Sequence, residues 1–140
     1  MAAFNKFNSF VEALAEKVHN LGADTLKVML TNSAVVATNT VKADLTDLST
    51  ANGYTAGGNS AAITSSSQTS GTYKLVLADP ATWTASGGSI GPFRYAVLYN
   101  DTATNDELIG YWDYGSALTV LTGETFTVDF NATNGVLTIA

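Results

Sequence analysis

The chain carries one histidine, His19, and no cysteine. A zinc site built from imidazole and thiolate ligands needs several such side chains, and a thiol nucleophile needs the cysteine, so neither chemistry is open to this sequence. A Ser-His-Asp set is formally possible, but the Gly-x-Ser-x-Gly turn that lifts a serine clear of a sheet does not occur, and His19 reads as a solvated helix position. The adjacent carboxylates Asp106-Glu107, with Asp101 nearby, are of the type used by a glycosidase acid pair or a calcium loop; in a polar hairpin loop such a pair ordinarily faces solvent. Gly53, Gly57 and Gly58 do not follow the dinucleotide fingerprint, and no Gly-Lys-Ser/Thr phosphate loop is present, so these glycines suit tight turns with positive φ. Asn100-Asp101-Thr102 and Asn131-Ala132-Thr133 fit the glycosylation pattern, which matters only in a eukaryotic secretory route. The expectation is a protein with no catalytic residue, no cofactor and no metal site.

Such a chain must act through its surface, and composition bounds what that surface is. At 140 residues, with a hydrophobic fraction of 46% and a charged fraction of 13%, it has the make-up of one compact globular unit. Without cysteine its stability rests on burial and hydrogen bonding. The start, Met1-Ala2-Ala3-Phe4-Asn5-Lys6, lacks the unbroken apolar stretch of a signal peptide, and no window reaches the roughly 20 apolar residues of a membrane span, so a soluble chain made in the cytoplasm is expected, with no membrane partner. The formal net charge of -6 is uneven: up to Arg94 six bases match six acids, and beyond it Asp101, Asp106, Glu107, Asp113, Glu124 and Asp129 stand without a lysine or arginine. That third of the chain repels phosphate backbones, so no nucleic-acid partner is expected; its acids are either solvated loop tips and strand faces or a patch meeting a basic partner.

The elements that position these residues follow from apolar spacing. Phe4, Phe7, Phe10, Val11, Leu14, Val18 and Leu21 recur at helical intervals with Glu12, Glu16 and Lys17 between them, and Gly22 follows as a stop. This predicts an amphipathic helix over Phe4 to Leu21 whose stripe either packs on the host domain or docks on a partner. Beyond it the texture changes to that of a sheet. Leu26 to Thr31 alternates like a strand with one face buried, Val41 to Leu48 is a strand or a short helical turn, and Ala61 to Thr72 is a Ser/Thr-rich strand or loop suited to an edge. Tyr73 to Leu77 is a strand closed by Asp79-Pro80, and Phe93 to Tyr99, the most aromatic run, reads as central, with Leu108 to Asp113 as its antiparallel partner. Leu118 to Leu121, Thr125 to Phe130 and Val136 to Ile139 are three further runs, separated by the hairpin signals Gly123-Glu124 and Asn134-Gly135. Alternation places Phe93, Tyr95, Val97 and Tyr99 on one face and points Tyr111 and Trp112 opposite ways. The fold class expected is all-β, an antiparallel β-sandwich of about eight strands, jelly-roll-like, with a helical segment over 1–24 and the sandwich domain over 25–140.

Several segments together carry a resemblance: Leu26-Lys27-Val28-Met29-Leu30-Thr31-Asn32, Asn52-Gly53-Tyr54-Thr55-Ala56-Gly57-Gly58, Trp83-Thr84-Ala85-Ser86-Gly87-Gly88-Ser89-Ile90-Gly91-Pro92, Arg94-Tyr95-Ala96-Val97-Leu98-Tyr99-Asn100, Leu108-Ile109-Gly110-Tyr111-Trp112-Asp113-Tyr114-Gly115, and the closing Gly123 to Phe130 and Gly135 to Ile139. From about Leu26 onward the chain resembles a family of small structural proteins of tailed bacteriophages and prophages. The resemblance implies a non-enzymatic virion component, a capsid decoration (cement) protein that binds and stabilises the shell of major capsid protein from outside, as a homo-oligomer on the shell. A tail or fibre component, or a carbohydrate-binding receptor module, is the alternative. Candidate partner-facing residues are Phe4, Phe7, Phe10, Trp83, Tyr111 and Trp112, apolar side chains in excess of what one small core obviously consumes.

Overall fold

The structure, a computed structural model, describes residues 2–140. Its elements are β1 (Phe4–Lys6), α1 (Ser9–Ala15), β2 (Leu26–Thr31), a single 3₁₀ turn (Lys42–Asp44), β3 (Asn59–Ser60), β4 (Ile63–Thr69), β5 (Thr72–Leu77), β6 (Trp83–Thr84), β7 (Ile90–Asn100), β8 (Leu108–Val120), β9 (Thr125–Phe126) and β10 (Leu137–Ile139). The chain is mostly β, with antiparallel sheets and one α-helix. Five strands form one sheet in the order β1-β8-β7-β2-β3, three form another in the order β10-β5-β4, and β6 pairs with β9.

The central position expected for Phe93 to Tyr99 is observed. β7 lies between β2, which it meets from Leu26↔Asn100 to Thr31↔Tyr95, and β8, which it meets from Tyr99↔Leu108 onward. The Ser/Thr-rich run becomes β4, an edge strand whose outward side chains are polar, as a solvated edge requires. The 3₁₀ turn resolves the ambiguity of Val41 to Leu48: Asp44 accepts from Thr40 and Val41 backbone amides and fixes a short helical turn.

Other expectations are corrected. The helix is seven residues long, not eighteen. Phe4–Lys6 is extended and pairs with β8 (Phe4↔Trp112, Lys6↔Gly110), so the open edge of the large sheet captures residues whose spacing alone suits a helix. Gly22 does not stop the helix. Lys17 does, at φ +69: the Val18 amide donates to the Ala13 carbonyl (2.8 Å) and the Lys17 amide to Leu14 (3.3 Å), the paired bonds of a Schellman cap. The runs Leu108 to Asp113 and Leu118 to Leu121 are joined in one strand, β8, which ends at Val120 and is bulged around Gly115 (φ +83), where the Asp113 carboxylate accepts from the Gly115 amide and holds Arg94 by two bonds of 2.7 and 3.0 Å. Gly123-Glu124 and Asn134-Gly135 turn the chain without making hairpins, because β9 pairs with β6 and β10 with β5.

The core lies on both faces of the large sheet. One cluster gathers Val28, Leu30, Ala96, Leu98 and Trp112 with Leu75, Leu77, Trp83 and Leu137 from the smaller sheets. The opposite face carries Phe7, Met29, Val35, Leu45, Tyr95, Val97, Tyr99 and Leu108, covered by the N-terminal segment and the 32–48 loop. β2 is therefore buried on two faces rather than one. Phe93 belongs with Ala96 and Leu98, not with Tyr95 and Tyr99, because the pairing of β7 with β8 shifts register between Phe93 and Tyr95 and reverses the alternation there.

Candidate functional site

The amphipathic stripe divides between interior and surface. Phe10 points into the first cluster and Phe7, just before α1, into the second; both are buried. On the other side of α1, Val11 and Ala15 lie one turn apart on one face, Val11 52% exposed, and Val18, 36% exposed, follows the cap at Lys17. That face borders a groove of about 650 Å³ whose floor and walls are Phe4, Phe10, Leu14 and the β10 residues Leu137 and Ile139, with Lys6 on its rim. A second groove, of about 590 Å³, continues past Leu14 and Ile139 to Lys17, Val18 and His19.

Two open sheet edges meet this groove. β1 is the outermost strand of the large sheet and β10 the outermost strand of the three-stranded sheet. Phe4 is held at the groove by its edge-on contact with Trp112 (ring centroids 5.4 Å apart), and the contact exists because Gly110, opposite Lys6, has no Cβ to occupy the space of the Phe4 ring. Ile139, 37% exposed, supplies the apolar side of the far wall. The region has mixed charge: Lys6, Glu12, Glu16 and Lys17 are all exposed around the apolar face, and among the described residues none of the four is held in an ion pair. The cations elsewhere are engaged, Lys27 by Asp101 at 3.3 Å, Lys42 by Asp47, Arg94 by Asp113 and Lys74 by the Thr133 carbonyl.

No protein-family model, curated protein or solved structure matches this chain.

Of the six residues singled out from the sequence as partner-facing, Phe4 lines the groove and Tyr111 is half-buried over Phe7 (5.0 Å) and Tyr95 (6.5 Å). Phe7, Phe10, Trp83 and Trp112 are at most 2% exposed and packed within the chain's own core, Trp83 between Tyr54 and Phe126, Trp112 against Phe4 and Phe130. Among the described residues the exposed large apolar side chains are instead Val11, Val18, Val36, Leu121 and Ile139, of which Val11, Val18 and Ile139 border the two grooves. Val11 and Val18 belonged to the recognised stripe; nothing in the sequence joins them to Ile139. Glu107 accepts from the amide and side chain of Asn105, and the backbone carbonyl of Asp106 accepts from Lys42, so the acid pair fastens its own loop.

His19 is a second correction: it lies beyond α1 and is buried against Phe10, with ring centroids 5.5 Å apart. The Asn100 side-chain oxygen accepts from the Thr102 and Ala103 amides, which turns its NH₂ toward His19 Nδ1 (3.0 Å) and the Asp24 carboxylate (2.7 Å). An amide NH₂ can only donate, so Nδ1 is the acceptor and the neutral ring carries its proton on Nε2, which is buried without a partner. Burial lowers the His19 pKa below its ordinary 6.5, and Glu107 and Asp24 offset only part of that. Protonation therefore favours the unfolded chain. Stability from this group is complete above pH 6.5 and falls as pH drops from there toward the depressed native value, by about 1.4 kcal/mol for each unit of separation. Urea midpoints measured between pH 7.5 and 5 are expected to decline in the wild type and to flatten in His19→Gln; equal slopes would show that another group titrates.

Proposed function

We propose that the chain is a non-enzymatic structural subunit of a tailed-phage virion, a decoration protein of sandwich, jelly-roll-like build that seats on the outer face of the major capsid protein shell and stabilises it. The observation that carries the reading is the groove: a β body with cores on both sheet faces leaves apolar side chains exposed where two sheet edges end together. Such an edge offers unpaired backbone groups beside apolar surface, the combination that a neighbouring subunit's chain can cover. The resemblance over most of the chain from Leu26 onward supports the same reading. Repeated by capsid symmetry, modest interfaces sum, so no single strong site is required. The acidic residues of the β7–β8 connection suit the exterior of a particle filled with DNA. In this reading the protein is made in the bacterial host cytoplasm and ends on the capsid exterior, without cofactor or nucleic acid.

The test is add-back. Shells prepared without this protein are expected to bind it to a fixed stoichiometry and to disassemble at a higher temperature once bound. Failure to bind shells, with recovery of the protein in purified tails or fibres, would replace the decoration role by a tail or receptor-binding one. A glycan-binding module would need an exposed aromatic platform, and with Trp83 and Trp112 buried only the half-buried Tyr111 remains of the three aromatic residues suited to it.

A further inference from the structure

The sheets end on strands of very different length. β1, β3, β6, β9 and β10 have two or three residues each, whereas β4 has seven and leaves one side of the three-stranded sheet open. Which of its backbone groups face outward follows from the turn. Ser70 and Gly71, both left-handed (φ +51 and +84), close the β4–β5 hairpin on Thr69↔Thr72, so Thr69, Ser67 and Ser65 exchange hydrogen bonds with β5 and the residues between them do not. The amides and carbonyls of Ser66 and Gln68 therefore point away from the sheet, and no hydrogen bond among the described residues occupies them. Nothing on the strand keeps a second one off. β4 has no proline and no charged side chain, and its bulge, between Ile63 and Ser65, comes before the regular stretch from Ser65 to Thr69.

This edge is complementary to itself. In an antiparallel copy related by a two-fold axis at Ser67, Ser66 stands opposite Gln68 of the second copy and Gln68 opposite its Ser66, and each pair exchanges two bonds, so the outward amides and carbonyls of both residues are satisfied in both chains. On the exposed face Ser65 meets Thr69 and Ser67 meets itself, with hydroxyl side chains small enough for the close spacing of non-hydrogen-bonded pairs. Charge selects the same occupant. From Leu48 to Tyr73 the chain carries no charged residue, so the whole formal charge of -6 lies elsewhere and two copies meeting along β4 bring no like charges together. A partner of another kind would be chosen by an apolar pocket or a charge pattern, and β4 offers neither. We propose that β4 is a two-fold interface between two copies of the chain, joining their three-stranded sheets into one continuous sheet in the order β10-β5-β4-β4-β5-β10. Each copy has one such edge, so the pairing closes at two. The inference does not depend on the virion reading: a soluble dimer and a shell-bound subunit are separate observations.

The test uses the full chain in solution. Sedimentation at concentrations up to about 100 μM is expected to give a two-chain species, and the Ser66 and Gln68 amides, open in a single chain, should exchange hydrogen more slowly as concentration rises. Gln68→Pro removes an outward amide without touching a bond to β5, and should run as a single chain with an unchanged circular dichroism spectrum. Ser65→Glu with Thr69→Glu, and Ser65→Lys with Thr69→Lys, should each weaken association by about tenfold, because two cross-strand pairs turn repulsive. An equimolar mixture of these two variants should recover it, as a species holding one chain of each. Should the proline variant fail to fold, the charge variants and their mixture decide alone. A wild type that stays monomeric, or a dimer that none of these substitutions weakens, would overturn the proposal. So would a monomeric wild type whose Gln68→Pro variant loses shell binding, which would give the edge to the capsid protein.

Discussion

Phe7→Ala is expected to destabilise the folded chain by about 3–5 kcal/mol, the range for emptying a fully buried aromatic site. Phe7 has no exposed surface and sits in the cluster formed with Met29, Val35, Leu45, Tyr95, Val97, Tyr99 and Leu108. Its amide donates to the Ile109 carbonyl (3.2 Å) and the next amide, Asn8, to Ala37 (2.9 Å), so the backbone is fixed on both the sheet and the covering loop and cannot slide to fill the void. Val35 and Leu45 come from that loop, and the ring packs with them in one cluster beside the hydrogen bonds that tie the loop to β2 and β8. The loss should appear in the urea or thermal unfolding of the isolated chain. Val11→Ala, one turn away and half exposed, should stay within about 0.5 kcal/mol. A Phe7→Ala loss under about 1 kcal/mol would mean that the second cluster does not hold the loop down. The two substitutions separate the buried half of the N-terminal stripe from its exposed half, a division that the apolar spacing alone leaves open.

How much could be read in advance depended on how local the deciding contact is. β5 and β7 were legible because β-branched and aromatic residues concentrate there and both faces are covered. β4 was legible for the opposite reason, a polar run that only an edge tolerates. The helix was overextended at both ends for reasons that lie far away or carry no signal. Phe4–Lys6 is claimed by β8, more than a hundred residues on, and Lys17 adopts the left-handed conformation without being a glycine. The turns at Gly123 and Gly135 were foreseen, but a turn signal does not name the strand's partner, and here the partners are β6 and β5. His19 reads from the sequence as a solvated helix position because nothing local marks its burial; its partner Asn100 is 81 positions away. Half of the candidate site was present in the stripe Val11-Leu14-Val18, and the wall contributed by β10 was not.

The two adjacent glycines of the turn before β3 are expected to respond very differently to alanine. Both have positive φ, +97 at Gly57 and +74 at Gly58, so each substitution carries the left-handed penalty of about 1–2 kcal/mol. Space separates them. A Cβ on Gly57 meets only the Tyr99 hydroxyl, at 3.4 Å, the far end of a side chain that already donates to the Gly57 carbonyl. A Cβ on Gly58 runs into the Val28 carbonyl and Met29 Cα, backbone of β2, an inner strand of the large sheet that cannot withdraw without breaking its ladder to β7. To the conformational penalty Gly58→Ala therefore adds an overpacking cost of about 1–3 kcal/mol, for a total of about 2–5. The shift would also reach Asp47, whose carboxylate accepts from the Gly57 amide and the Tyr54 hydroxyl, while Tyr54 in turn accepts from the Leu30 amide. Urea unfolding of the two alanine variants measures the gap. A Gly58→Ala chain as stable as Gly57→Ala would show that β3 does not press on β2, and that the 52–58 loop is free of the sheet it is drawn against.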